Sequence, residues 1–404
     1  MGKLVGATIV RDDSSKLDFE SLDEALAQGE QGRIAFRFAY GPDLLPPAGE
    51  PVTSMWRYRD LLPLGAGPIS YPLAIGGTPL LASPRLRNLL SAPNLWLKDE
   101  TRTPTGSNKD RATALVVESA VRAGSSTVTC ASTGNVAVSL AAGAAAAGLR
   151  AVIFVPADVA DSKLTLMLLA GATVFKVREG YDAAFKLSRA AAREFGWYER
   201  NTGVNPVTLD AKKTVALEIW EQLGREVPDT VVCPVGDGPT LSAIGKGFDE
   251  LVACGAASRI PRIVAVQAEG CQPLKHAWET GGPVQAVEPE TIADGIAVGD
   301  PVSAGMVLLD VRKSGGAFVA VSDDELRHAM ETLASNSGVL AEPAGASAFA
   351  GLVQSLDSGL ITRDERVVAL VTGTAMKNLG QARPAREATT ITADLEQVRR
   401  TLQG

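Results

Sequence analysis

From residue 126 to residue 373, seven short β-branched runs alternate with stretches of helical length, and this alternation constrains the fold more than any other feature. The runs are 126–132, 150–156, 172–177, 229–235, 262–268, 317–322 and 366–373. Helical patterns occupy 109–123, 135–148, 161–171, 181–195, 210–224, 240–255, 322–336 and 345–356. Strands separated by helices of this length form βαβ units and mostly parallel sheets. The runs show little polar–apolar alternation, as expected of strands covered by helices on both faces. The class is therefore α/β.

Residues 1–75 read differently: a polar start, a short helix in SLDEALAQ (21–28) and a proline-rich connector, AYGPDLLPPAGEP. This segment is expected to be an N-terminal extension leading into the main body. A net charge of −7 and the absence of a basic cluster exclude nucleic acid and anionic membrane as partners. Cys130, Cys233, Cys254 and Cys271 lack C-x-x-C spacing, and His276 and His328 are the only histidines, so no metal site is expected. Reduced thiols, no signal sequence and no apolar stretch of ~20 residues give a cytoplasmic expectation.

Four segments carry chemistry. In DETRTPTGSNKDRATA (99–114), Lys109 stands where loop becomes helix. A helix N-terminus repels a cation and favours the neutral amine, the form a Schiff-base nucleophile needs. The plain alternative is a solvated surface charge. In CASTGNVAVS (130–139), a strand passes through a Ser-Thr-Gly-Asn turn into a helix, so Ser132, Thr133 and free backbone N–H groups suit a carboxylate; an ordinary helix cap is the alternative. VVCPVGDGPTLSAIGKGF (231–248) places a glycine loop at a helix start, suited to phosphate but matching neither the dinucleotide nor the Walker motif. VVALVTGTAMKN (367–378) ends a strand in Thr-Gly-Thr, at the carboxyl end where α/β ligands bind.

Together, PTGSNKDR, STGN, PVGDG and VTGTAMKN resemble, in order and spacing, the pyridoxal-phosphate enzymes of fold type II, and most closely the threonine synthases. GGTPLL (76–81), NPVTLDAKKT (205–214) and AEPAGASAFAGL (341–352) agree, and the resemblance runs from about residue 58 to 380. It implies two open, mostly parallel-sheet domains behind the extension: a large cofactor-binding domain from 76–125 and 210–385, and a smaller mobile domain from 126–209. A C-terminal helix is expected in 386–404, and a homodimer is the common state of the fold.

The resemblance also implies roles. Lys109 matches the lysine that carries pyridoxal 5'-phosphate, and Asn135 the asparagine at the cofactor's phenolic oxygen. Gly236, Asp237, Gly238, Pro239 and Thr240 match the phosphate loop, with Asp237 turned away from the phosphate. Ser132 and Thr133 match the turn that receives the substrate carboxylate, and Thr372 the hydroxyl beside the ring nitrogen. A neutral hydroxyl there weakens the electron sink and favours elimination or replacement over transamination. The implied activity is a threonine synthase-like lyase acting on an amino acid such as O-phosphohomoserine. The alternatives are a serine/threonine dehydratase or β-replacement synthase, and a non-catalytic amino-acid-binding paralogue.

The chain departs from the family at Asn108, usually Phe; at Val136, commonly Thr; at Thr173, commonly Arg or Lys; and at Thr208, frequently Arg. In the family the residues at 136 and 173 help hold the substrate's phosphate. Their replacement implies poor use of O-phosphohomoserine, unless Lys163, Lys212 or Lys213 supplies the charge.

Overall fold

A computed structural model describes residues 4–21, 24–25, 32–377, 379–381 and 388–403. The chain opens with an antiparallel sheet of β1 (Leu4–Val10), β2 (Lys16–Phe19) and β3 (Arg33–Phe38), with β1 in the middle. The first half of the extension is thus a small sheet, which the sequence reading did not expect, and its Phe36 and Phe38 are buried in the main core. The helix expected at 21–28 lies mostly outside the described residues.

Next come β4 (Leu80–Leu81), α1 (Pro84–Leu90), β5 (Leu95–Asp99) and α2 (Lys109–Arg122). The following segment builds a four-stranded parallel sheet from β6 (Thr127–Ala131), β7 (Arg150–Pro156), β8 (Thr173–Val177) and β9 (Tyr198–Glu199), in the order β8-β7-β6-β9. Its helices are α3 (Asn135–Ala146), α4 (Asp161–Leu169) and α5 (Tyr181–Phe195).

From α6 (Val207–Gln222) the chain returns to the first body through β10 (Thr230–Pro234), α7 (Pro239–Ala253), β11 (Arg262–Ala268), α8 (Pro273–Thr280) and α9 (Ala304–Lys313). It continues through β12 (Ala317–Val321), α10 (Asp323–Ser337), α11 (Pro343–Asp357) and β13 (Val367–Val371) to a terminal helix, α12 (Leu395–Gln403). These strands join β4 and β5 in the order β12-β11-β10-β13-β5-β4, parallel except at the β4–β5 edge. The architecture is α/β, as the alternation requires.

Local signals set the element ends. Ser322 and Glu325 form a reciprocal capping box at the start of α10. Proline occupies the first turn of α7, α8 and α11, where its missing N–H has no helical partner to lose. The inner strands β6, β7, β10, β11 and β13 are buried on both faces while the edge strand β8 is largely exposed, and two clusters of Val, Leu, Ile and Ala form most of the core. No described helix is long and apolar enough to cross a membrane.

The parallel topology brings strand ends together. β6 runs into Ser132, β10 into Gly236 and β13 into Thr372, all at carboxyl ends. Crevices at such ends are where open α/β sheets hold ligands.

Candidate active site

Lys109 is the first residue of α2, and the loop before it is fastened from several sides. Thr105 donates to Asp110 through its backbone N–H at 2.7 Å and its hydroxyl at 2.6 Å. Thr103 donates its hydroxyl to the Ser107 carbonyl at 2.9 Å. The Asn108 N–H donates to the Thr372 carbonyl, and the Thr374 N–H to the Gly106 carbonyl, both at 2.9 Å. These bonds tie the lysine loop to the end of β13. Gly106 has φ +72°, and a Cβ there would lie 2.5 Å from Thr374 Cγ2, so both backbone shape and space require glycine.

Lys109 is half-buried by surface exposure, with its amine densely surrounded by protein atoms. Burial lowers its pKa and the Arg200 guanidinium lowers it further, while Glu342, Asp237 and Cys233 oppose the shift. A buried amine beside a cation favours the neutral, nucleophilic form.

Asn135 opens α3 and donates through Nδ2 to Glu342 Oε1 at 2.7 Å; its Oδ1 is buried without a partner. Glu342 is itself pushed above the usual carboxylate range by burial. In the turn before α3, the Ser132 hydroxyl accepts from the Gly134 N–H at 3.2 Å. Thr133 stands beside it, half-buried. Thr372 is buried, and its carbonyl fixes the Asn108 backbone.

The loop from Gly236 to Gly238 enters α7. Among the described residues, no acceptor is recorded for the N–H groups of Gly236, Asp237 and Gly238. Such a row of free donors at a helix N-terminus suits a phosphate. Gly238 has φ +102°, and a Cβ there would fall 2.5 Å from Val307 Cγ2. A Cβ on Gly236 would lie 2.8 Å from Ile296 Cα. Asp237 turns toward the loop before α9: its Oδ1 accepts from the Val302 N–H at 2.9 Å, and burial raises its pKa. Thr240 contacts Asn108, whose Nδ2 donates to its hydroxyl at 3.3 Å. Asn108 is 1% exposed and its Oδ1 has no partner, so the departure from phenylalanine puts a carboxamide against the phosphate loop.

These features fit pyridoxal phosphate. The buried Asn135 and Asn108 oxygens lack partners, the loop N–H groups are free, and the amine of Lys109 is disposed toward its neutral form.

The three lysines set against the altered phosphate pocket separate in space. Lys163 pairs with Asp294, and Lys213 with Asp210 and Glu250. Lys212 is 2% exposed, has no partner among the described residues, and lies in the electrostatic field of Lys109, Arg200 and Asp237. Arg200, 0% exposed, was not singled out from the sequence; it follows the short strand β9, and its Nη2 faces the Lys109 carbonyl at 3.4 Å. Val136 is half-buried beside Asn135, whereas Thr173 does not meet the expectation of a pocket residue. It is exposed on the edge strand β8, level with Val152 and Thr129 and so two residues short of the strand end at Ala131. Thr208 is buried, and its hydroxyl donates to the Asn205 carbonyl at 2.8 Å.

Comparisons with known proteins agree with this construction. Residues 71–373 match the family described as Pyridoxal-phosphate dependent enzyme. The chain is 38% identical over 355 residues to a threonine synthase of Methanosarcina acetivorans, covering 87% of each. It is 38% identical over 353 residues to a threonine synthase of Methanocaldococcus jannaschii, covering 86% of this chain and 87% of that one. A Mycobacterium tuberculosis threonine synthase is 37% identical over 322 residues, covering 80% of this chain and 87% of its own. Among solved structures, the processed threonine deaminase isoform 2 of Solanum lycopersicum superposes with a TM-score of 0.64 at 22% identity, over 75% of this chain and 85% of that one. Maize serine racemase superposes with a TM-score of 0.62 at 21% identity, over 81% and 91%. At these identities the structural likeness speaks for the fold.

Proposed function

The chain belongs to the pyridoxal-phosphate-dependent enzyme family, and from that premise we propose that it is a threonine synthase-like lyase that converts O-phosphohomoserine and water to threonine and phosphate. The observation that carries the mechanism is the Lys109 amine, disposed toward its neutral form by burial and by Arg200, at the start of α2.

In this reading Lys109 would hold the cofactor covalently, and the N–H groups of Gly236, Asp237, Gly238 and Thr240 would hold its phosphate, with Pro239 shaping the helix start. Asn135 would serve its phenolic oxygen and Thr372 its ring nitrogen. Pyridoxal phosphate, when bound, supplies an electron sink for bonds at the substrate's α-carbon. The chain supplies the rest. Ser132, Thr133 and the open N–H groups of their turn take the substrate carboxylate and fix its α-carbon over Lys109.

Substrate and product differ at two carbons. The γ-carbon loses its bond to the phosphate oxygen and gains hydrogen, and the β-carbon exchanges a hydrogen for the hydroxyl of water. The Lys109 amine, in its neutral form, would be placed to take and return those protons. Glu342 holds Asn135 in position. The homodimer expected of the fold, and a reducing cytoplasmic setting supported by four free buried cysteines, complete the proposal.

Borohydride reduction followed by peptide mapping should place the pyridoxyl group on Lys109; finding it on Lys98 or Lys246 refutes the assignment. Phosphate release from O-phosphohomoserine with threonine formed is the expected activity. Release of ammonia from serine or threonine, without phosphate chemistry, would instead make the protein a dehydratase. Light scattering on a sizing column reads the dimer.

A further inference from the structure

Two buried basic side chains near the candidate site have no carboxylate within ion-pair distance among the described residues. Five of the largest fully buried side chains are basic: Arg111, Arg200, Lys98, Lys212 and Lys213. Three have carboxylate partners within ion-pair distance. Arg111 meets Glu100 and Glu218, Lys98 meets Glu218, and Lys213 meets Asp210 and Glu250. Among the described residues, Arg200 and Lys212 meet none.

Arg200 spends its donors on neutral acceptors: the Thr113 hydroxyl at 3.4 Å, the Thr202 hydroxyl at 2.6 Å and the Lys109 carbonyl at 3.4 Å. Burial pulls its guanidinium down to about 10, with Cys130 and Asp110 opposing, so it stays charged at neutral pH. Lys212 has no recorded partner; burial, then Lys109 and Arg200, push its ammonium well below the usual range, against Asp237. Asp237 does not supply the missing charge, because it is occupied by the Val302 N–H and is itself pushed toward its neutral form.

A buried cation without a partner is costly, and chains retain one where an anion completes it. Lys212 interacts with Asp237 of the loop of free N–H groups and Arg200 reaches the Lys109 carbonyl; two basic groups so placed match a dianion, and the guanidinium fork suits phosphate oxygens. Lys212 lies one turn beyond Thr208 on the same face of α6, and helical side chains lean toward the N-terminus. Its ammonium is therefore carried back toward Thr208, where the family frequently has an arginine.

We propose that Arg200 and Lys212 form the cationic half of a phosphate-monoester site within the active centre, filled by the cofactor's phosphate or by the substrate's. The substrate source rests on the threonine synthase-like reading above; the cofactor source does not. On this account the hydroxyl absent at position 136 and the cation absent at position 208 are offset by Arg200, just after β9, and by Lys212 on α6.

The test uses the full chain, as holoenzyme and after cofactor removal, with Lys212→Met, Arg200→Gln and the charge-retaining Arg200→Lys. Lys212→Met replaces a buried cation by an apolar chain of similar length and is expected to fold. Inorganic phosphate should raise the melting temperature of the wild-type cofactor-free protein and fail to raise that of Lys212→Met. If the cofactor's phosphate fills the site, both charge-removing variants should weaken pyridoxal phosphate binding about ten- to a hundredfold while leaving pyridoxal unchanged. If the substrate's phosphate fills it, they should raise KM for O-phosphohomoserine by the same factor with kcat largely kept, and abolish competitive inhibition by inorganic phosphate. Arg200→Lys should recover part of either loss. The proposal is overturned if both charge-removing variants stay within about twofold of wild type in cofactor affinity, phosphate inhibition and phosphate-induced melting shift. Should the wild type not use O-phosphohomoserine at all, the functional reading fails, and the cofactor titrations alone decide the site.

Discussion

Replacing Arg111 by methionine should nearly unfold the enzyme, although the residue touches no ligand. Arg111 sits two positions after Lys109 on α2 and holds two carboxylates at once. Its Nε and Nη2 bond Glu100 at 2.7 Å each, and its Nη1 and Nη2 bond Glu218 at 2.6 and 2.8 Å. Thr214 and Thr78 accept further bonds at 3.0 Å each. Arg111, Glu100 and Glu218 are all 0% exposed.

Methionine fills most of the volume but strands Glu100, which keeps only the Thr78 hydroxyl at 2.6 Å, while Glu218 still has Lys98. Removing one partner of a buried ion pair costs about 3–5 kcal/mol, because the other charge is left uncompensated. Against a total stability of about 5–15 kcal/mol, that loss is severe. Urea unfolding at pH 7, followed by tryptophan fluorescence and far-UV circular dichroism together, measures it. Adding Glu100→Gln to Arg111→Met should recover roughly half the loss by removing the stranded charge. A loss under about 1 kcal/mol, or no recovery in the double variant, would refute the reasoning and mean that water reaches the network.

Glu218 sets the acid behaviour of the same network. Burial pushes its carboxyl up, but Arg111 and Lys98 overcome this and hold it at about 2, below the usual 4.5. A carboxylate depressed on folding adds stability that is complete above about pH 4.5 and lost as pH falls toward 2, so Glu218→Gln should flatten that part of the stability curve; an unchanged acid limb counts against the pairing. At the phosphate loop, Gly238→Ala must accept φ +102° and a Cβ 2.5 Å from Val307 Cγ2. Strain of about 1–3 kcal/mol should weaken pyridoxal phosphate binding about tenfold or more by absorbance titration, and an unchanged affinity would remove this loop from the cofactor site. Thr173→Arg should leave KM for O-phosphohomoserine within about twofold, since Thr173 is exposed on an edge strand; a large fall in KM would place it in the pocket after all.

What the sequence made legible follows from how local each signal is. The runs 150–156 and 262–268 are strands to the residue, because apolar β-branched stretches bounded by turn residues need no distant partner to be recognised. The N-terminal sheet was not legible. Its second strand has four residues, and its first carries Gly6 at a register shift, so neither shows a clean period of two. The candidate cofactor residues lie in turns whose chemistry is contiguous: Lys109 and the Gly236–Thr240 loop stand out by themselves, and Asn135 through the family resemblance. Thr173 misled, because position after Gly-Ala says nothing about which way an edge strand presents its residues.

The charge balance of the site was hidden for a different reason. Lys212 and Lys213 are adjacent letters, yet consecutive helical residues point about 100° apart. One is turned to Asp210, Glu250 and the ring of Phe38; the other toward Lys109 and Arg200. Nothing in the dipeptide distinguishes the satisfied lysine from the unsatisfied one, since the distinction lies in α7, which brings Glu250 to one face of α6, and in β9, which delivers Arg200 to another. A family pattern compared position by position therefore records two lost phosphate contacts. Summed over the folded site, the same residues show a surplus of positive charge. A chain with no anion to bind there would gain stability from an apolar residue at 212, where this one carries a lysine.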